Sequence, residues 1–458
     1  MDEHIAVVDV GATNTRVVLL DRNLNEVANR KTETRHLPGP PYPQIDSGPL
    51  VDFIRSAIAE LDRVQPVDTI SVSAFGATAA CLDERGALVL PVMDYLAPAP
   101  AAVDAGYARI APPFGEVFSA TSPGALTLAK QLYWLETVHP QEFARIACIL
   151  PWSGYIAHRL GGAPATEVSN LGVFTHLLDV RSAEWSSLAR TRGWDRLFAP
   201  RRAAWEVIGT MPGLRGRGEI LAGIHDSNAN WLRYMAGQGG RFTLVSTGTF
   251  VIGFDSGGDL DGLDPDCDAF SFNDIFGRPI ACARFYGGYE LGRLLDGVPA
   301  TAASETGLAQ VIGAGTFALP AFSDTGGPIA GRGKRGRILG AVDTPELRAS
   351  LALLYYALMV DRMLEALRST ATVIIDGPAA QSPLVPGLIA ALRPGQPVMT
   401  SAQSEGTVLG AGVLARMKGT GQLPQFPSAL IPQAALNLPG LHAYRDRWLH
   451  LTQQDQTE

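Results

Sequence analysis

Cysteine is scarce in this chain. Four residues in 458, Cys81, Cys148, Cys267 and Cys282, stand apart with no paired spacing. That pattern excludes a disulfide framework or a zinc knuckle, and points to reduced thiols in a cytoplasmic setting. Long apolar runs are also missing. The longest, LALLYYALMV from Leu351, falls short of the ~20 residues of a membrane span. The opening MDEHIAVV is acidic and at once strand-like, without the basic and apolar segments of a leader. Positive charge is in deficit, with 37 Lys and Arg against 45 Asp and Glu, a net charge of −8. No basic stripe with interleaved aromatics offsets it, which excludes nucleic acid as a main partner. Small anions remain compatible, because a local nest of backbone N–H groups needs no global positive charge. What is present, 46% hydrophobic and 18% charged residues, is the composition of a globular protein. The length favours two domains over one core.

Helical and strand patterns alternate along the chain, which predicts an α/β architecture. In IAVVDVGATNTRVVLLD, two aliphatic strands, Ile5 to Val10 and Val17 to Leu20, flank a small polar tip holding Gly11, Thr13, Asn14 and Thr15. Asp9 and Arg16 crowd the same tip, which suggests that something charged is held there. NEVANRKTETR reads as a third strand, GPLVDFIRSAIAELDRV as an amphipathic helix, and TISVSAFG as a strand ending in Gly76. AACLDERGALVLPV reads as a hairpin around Glu84, Arg85 and Gly86. Further on, MAGQGGRFTLVSTGTFVIGFD repeats the opening plan of strand, Gly/Thr turn and strand, with Asp255 at the exit as Asp21 is in the first copy. This places a domain boundary in the Gly-rich joint, giving domains 1–236 and 237–458, and predicts two hairpin tips gripping one phosphate chain across an interdomain cleft. In the second half, Thr344 caps a long helix opened by Pro345 and Glu346. TVIIDGPAAQSPLVPGLIAAL reads strand, Gly loop, helix, a common ligand position. SEGTVLGAGVLARM is a helix in which Gly406, Gly410 and Gly412 permit close backbone approach.

GIHDSNANWLRY sets Asp226 just before a helix, between the two tips in sequence. A helix cap and a catalytic carboxylate both suit an Asp there, and both readings stand at this point. The ordered motifs resemble the FGGY family of carbohydrate kinases, within the superfamily that includes actin, hexokinase and the seventy-kilodalton chaperones. The family's Asp-x-Gly-Thr-Thr with a following Arg is similar to Asp9, Gly11, Thr13 and Arg16. Its Gly-x-x-Asp is similar to Gly223 to Asp226, and its second Gly-Thr turn to Ser246 to Thr249. AGTFALPAF, YGGY from Tyr286, RILGAVDTPELRASLALLYYAL and SEGTVLGAGVLA resemble further family segments.

The resemblance implies two actin-like, ribonuclease H-like domains, each a mixed sheet flanked by helices, and ATP with Mg²⁺ as cofactors. It implies Asp226 as general base, with Asp9 and Asp226 at the metal. Nucleotide and phosphates fall to Gly11, Thr13, Asn14, Arg16, Thr247, Gly248, Thr249, Gly315, Gly377, Gln381 and Ser382. The sugar falls to Phe75, Gly76, Thr78, Asp94 and His225. Two departures bear on the ligands. The family's Trp-acid-Arg reads Met93-Asp94-Tyr95 here, and its Gly-rich adenine loop reads Asp376-Gly377-Pro378. The HD pair and SLALLYY resemble the branch acting on 6-deoxy ketoses. The implied activity is phosphorylation of a small sugar, a pentulose or 6-deoxyhexulose, at a primary hydroxyl. A polyol kinase and a non-catalytic sugar sensor are the alternatives, and a homodimer is an assembly compatible with all three.

Overall fold

The computed structural model describes residues 3–122, 124–402 and 406–454. It divides into two compact units: Met1–Gly237 with Ser271–Pro279 and Glu405–Pro427, and Gln238–Phe270 with Ile280–Ser404 and Ser428–Glu458. Among the described residues no helix is long and apolar enough to cross a membrane.

The first unit is built on strands β1 (Ile5–Val10), β2 (Asn14–Leu20), β3 (Glu26–Glu33), β4 (Thr69–Ala74), β5 (Val207–Thr210), β6 (Glu219–Leu221) and β7 (Ile224–His225). They run in the order β5-β6-β4-β1-β2-β3, with β7 also pairing β4. β1 is antiparallel to β2 and parallel to β4, so the sheet is mixed. Every residue of the central strand β4 is buried, as expected of a parallel strand covered on both faces. The edge strand β3 alternates exposed and half-buried residues instead.

Period-two alternation sorts the aliphatic residues of the first hairpin between two layers. Ala6, Val8, Val10, Val17 and Leu19 join the core under helices α1 (Ser47–Val64) and α2 (Trp152–Leu160). Ile5, Val7, Val18 and Leu20 join the opposite core with Ala229 and Leu232 of α3 (Asp226–Gly237). Leu50, Val51, Ile54, Ala57, Ile58 and Leu61 form the buried stripe of α1. The hairpin expected around Glu84 to Gly86 shrinks to a turn closed by a single Leu82–Leu88 bridge. Its first strand, Ala79–Leu82, pairs with Cys148–Pro151, a partner too remote in sequence for local turn signals to show.

The second sheet comprises β8 (Phe242–Thr247), β9 (Val251–Asp255), β10 (Ala269–Asn273), β11 (Pro279–Phe285), β12 (Thr372–Asp376), β13 (Val398–Ser401) and β14 (Leu430–Pro432), in the order β10-β11-β9-β8-β12-β13-β14. Here too an antiparallel hairpin, β8–β9, lies beside a parallel strand, β12. Its helices include α4 (Gly287–Leu295), α5 (Glu305–Ala314), α6 (Pro345–Ala366) and α7 (Val385–Leu392). Thr344 caps α6 by accepting from the Leu347 N–H at 3.2 Å, with Pro345 at its first position.

The closing helix α8 (Gly406–Arg416) packs on α3 of the first unit. A Cβ on Gly410 would come within 1.6 Å of the Ala229 carbonyl oxygen, so any side chain there would force the two helices apart. The first unit is therefore assembled from separated stretches, whereas the sequence reading has two consecutive domains. Ser404 and Glu405 of the closing motif lie outside the described residues.

Candidate active site

Three parallel strands of the first sheet end side by side. Val10 of β1 and His225 of β7 are both in register with Ala74 of β4. Gly11, Phe75 and Asp226 follow directly, so the first tip, the Phe75-Gly76 turn and the proposed base share one edge of the sheet. The carboxyl ends of parallel strands are where α/β sheets bind ligands.

Among the described residues the tip between β1 and β2 is anchored on one side. The Gly11 carbonyl accepts from the Thr34 hydroxyl at 2.8 Å, the Ala12 carbonyl from His36 Nε2 at 2.7 Å, and the Thr13 carbonyl from the Thr34 N–H at 3.0 Å. In a trans peptide the N–H points opposite to its C=O. With three successive carbonyls held by the Thr34–His36 segment, the N–H groups of Ala12, Thr13 and Asn14 face the other way, as in an anion-binding nest. Thr13 and Asn14 are exposed. Asp9 and Arg16 are cross-strand partners, and Arg16 Nη2 donates to Asp9 Oδ2 at 3.2 Å.

Asp226 opens α3 but does not cap it in the usual way. A capping oxygen accepts from an N–H two or three residues on. Here Oδ1 accepts from the adjacent Ser227 N–H at 2.5 Å and its hydroxyl at 3.2 Å. His225 Nε2 lies 3.1 Å from the same oxygen, so none of these contacts engages Oδ2. Burial pushes the His225 imidazole below its ordinary pKa, against the opposing pull of the Asp226 carboxylate. Asn228 Nδ2 lies 3.4 Å from Nδ1. With that amide donating, the ring proton sits on Nε2, facing Asp226.

The backbone here is tightly held. Gly223 takes φ +102°, and a Cβ on it would meet Ser153 Oγ at 2.9 Å. A Cβ on Gly76 would meet the His225 ring at 2.8 Å. The His225 N–H donates to Ser169 Oγ, whose hydroxyl proton goes to the buried Glu167. Burial raises the Glu167 carboxyl above its ordinary value, although its bonds from Ser169 and Asn170 act the other way.

Of the residues assigned to the sugar, His225 is buried and turned towards Asp226, and Phe75 packs as a core side chain against Tyr95 and Trp152. The Thr78 hydroxyl is buried and has no partner among the described residues. Asp94 Oδ1 accepts from the Leu96 N–H at 2.9 Å, and its Oδ2 lies 2.8 Å from His36 Nδ1. His36, Glu167 and Ser169 carry no local sequence signal; distant chain segments bring them here.

In the second sheet, the Thr247 hydroxyl donates to the Asp376 carbonyl at 2.5 Å and accepts from the Ala379 N–H at 3.1 Å. This joins the β8–β9 turn to the loop after β12. Gly377 takes φ +84°, and a Cβ on it would lie 2.2 Å from the Thr247 carbonyl oxygen. Gly248 and Thr249 are exposed. Gly288, at the start of α4, donates its N–H to the Thr249 carbonyl at 3.1 Å, and a Cβ on it would lie 2.2 Å from the Gly248 carbonyl oxygen. Sequence reasoning missed Gly288, although YGGY marked its neighbourhood. Gln381 is exposed. Ser382 accepts from the Val385 N–H at 3.2 Å at the entrance to α7. Gly315 ends α5 in the left-handed region at φ +63°, a conformational reason for glycine there.

Among the described residues no group of three or more His, Cys, Asp or Glu is placed to cage a metal. Magnesium fits without one, because it keeps most of its water and commonly takes one or two protein carboxylates plus substrate phosphates. Asp9 and Asp226 are hard oxygen donors of that kind: Asp9 is in register with Ser73 of β4, and Asp226 directly follows β7, which pairs β4 on its other side.

Residues 4–212 match the FGGY family of carbohydrate kinases, N-terminal domain, and residues 239–423 match carbohydrate kinase FGGY, C-terminal domain. A carbohydrate kinase from Novosphingobium aromaticivorans superposes with a TM-score of 0.88 at 27% identity, over 98% of this chain and 100% of that one. The ligand-bound xylulose kinase from Lactobacillus acidophilus gives 0.82 at 17% identity, over 99% and 98%, a likeness of fold alone. An L-fuculokinase from Salmonella typhi is 28% identical over 265 residues, 54% of this chain and 55% of that protein. The chain thus spans about half the length of the curated relatives it matches. With the N-terminal and C-terminal domains matched in order along its length, the chain belongs to the FGGY family of carbohydrate kinases.

Proposed function

We propose that this protein transfers the γ-phosphoryl group of ATP to a primary hydroxyl of a small ketose, a pentulose or 6-deoxyhexulose. The observation that carries the reading is the shared strand edge of the first sheet. A carboxylate with one oxygen outside its local contacts stands there with a tip whose N–H groups face away from its anchors. Phosphoryl transfer requires chiefly positioning and charge neutralisation, which backbone N–H groups and an arginine supply.

In this reading the N–H groups of Ala12, Thr13 and Asn14 hold phosphate oxygens, and Arg16 adds a directed positive fork; the β8–β9 turn of the second unit offers N–H groups of the same kind. Bound Mg²⁺ would neutralise phosphate charge, with Asp9 holding it through water and Asp226 close by. Asp226 Oδ2 takes the proton of the sugar hydroxyl as that oxygen bonds to the γ-phosphorus. The bond from phosphorus to the β–γ bridging oxygen breaks, and ADP leaves with that oxygen. His225, neutral and donating to Oδ1, fixes the carboxylate while leaving Oδ2 to the hydroxyl. ATP chemistry and four free thiols suit a cytoplasmic setting.

The test is ADP release from Mg·ATP over a panel of pentuloses, 6-deoxyhexuloses and polyols, paired with thermal shift, since ligands that bind the native state raise stability. A ketose should support turnover above the polyols. Turnover with polyols alone would overturn the substrate class. Stabilisation by sugar without turnover of any compound would overturn the kinase reading.

A further inference from the structure

We infer that His36 is a positioning residue that ties the phosphate-facing tip of β1–β2 to Asp94, coupling nucleotide grip to the sugar side of the first unit. The inference rests on the reading of that tip as a phosphate site. A two-residue strand, His36–Leu37, pairs with Gln44–Ile45, and Gln44 in turn bridges to Met93. The Asp94 N–H donates to the Pro43 carbonyl at 2.9 Å. This ladder carries Asp94 to the histidine across more than fifty residues of sequence. The ring then spans two oxygens, the Ala12 carbonyl at 2.7 Å from Nε2 and Asp94 Oδ2 at 2.8 Å from Nδ1.

Both oxygens are acceptors. A neutral imidazole carries one N–H and satisfies only one of them. The bridge is complete only with one proton beyond those of neutral imidazole and carboxylate. The Ala12 carbonyl shares its peptide with the Thr13 N–H, so the bond from Nε2 fixes the direction of a group that faces the phosphate. Asp94 is held on its other side by Leu96, so neither end of the bridge is loose. Asp94 is the charged group facing the ring from the 91–97 turn. The tip presents a carbonyl beside uncharged Thr13 and Asn14. On the histidine's own segment, Arg35 lies 3.8 Å from Asp46, the residue just before α1.

Binding of Mg·ADP, measured by calorimetry beside the melting temperature of the free protein, tests the bridge. His36→Ala should bind about 5- to 10-fold more weakly than the wild type. His36→Gln, which keeps a donor for Ala12, should recover part of that loss and serves if the alanine variant does not fold. Asp94→Asn places an amide donor opposite a neutral Nδ1, so it should bind close to the wild type. Wild-type affinity in both His36 variants would overturn the inference alone. Absence of Mg·ADP binding by the wild type would overturn the phosphate reading and this inference with it.

Discussion

The two hairpins, β1–β2 and β8–β9, share a plan and differ in chemistry. Each is antiparallel, each lies beside a parallel strand, and each leaves through an aspartate that closes a turn: Asp21 accepts from the Asn23 N–H and Asp255 from the Gly257 N–H, both at 2.8 Å. At the tips the likeness ends. The first has an aspartate and an arginine facing each other across the strands, where the second has Thr247 beside Val251 and Ser246 beside Ile252. The first tip is strapped by Thr34 and His36; the second is closed by two glycines, Gly288 and Gly377, that leave no room for a side chain. One topology therefore presents a charged pair at the first tip and an uncharged tip of N–H groups and hydroxyls at the second. A repeated fold fixes where a tip lies, while the residues at it decide what it can do.

Substitutions at the two tips sharpen that contrast. The largest effect belongs to the edge that the first tip shares with Asp226. Asp226→Asn keeps the shape and loses the base, so turnover should fall at least ~100-fold, about 3 kcal/mol in the barrier, while the melting temperature holds. A rate close to wild type, with the fold intact, would return Asp226 to a structural role.

At the second tip the effect should be steric. Gly377→Val strains a left-handed backbone and drives a side chain against the Thr247 carbonyl. KM for ATP should rise roughly tenfold or more, with KM for sugar little changed. An equal rise in both would mean that the substitution damages the fold and not the nucleotide grip.

Arg16→Ala should raise KM for ATP about fivefold, and Arg16→Lys should recover only part of that, because a point charge does not replace a fork. Full recovery by lysine would show that charge alone matters at the first tip. The smallest effect is expected at Ser382, whose hydroxyl serves the entrance to α7. Ser382→Ala should cost about 1 kcal/mol of stability, read as a lower denaturation midpoint. A rise in KM for ATP from the same variant would make that hydroxyl a nucleotide contact as well.

Local pattern by itself determined a good part of this protein. Aliphatic runs broken by Gly and Thr gave both hairpins, because period-two alternation and turn chemistry act within a few residues. Thr344 and Pro345 gave the start of α6 for the same reason. Asp9 and Arg16 stood out as charges set among strand residues, and Asp226 as an acid just before a helix. Only the tertiary structure decided which strands run side by side, and so that Asp226 and the first tip share an edge: β7 reaches β4 from some 150 residues away. It alone brought His36 to Ala12 and Asp94, and Glu167 and Ser169 behind His225. It also decided that α8 packs on α3, through a glycine whose need is visible only against Ala229. Propensity and turn signals report on neighbours along the chain, whereas these contacts join segments whose meeting depends on the packing of whole sheets and helices.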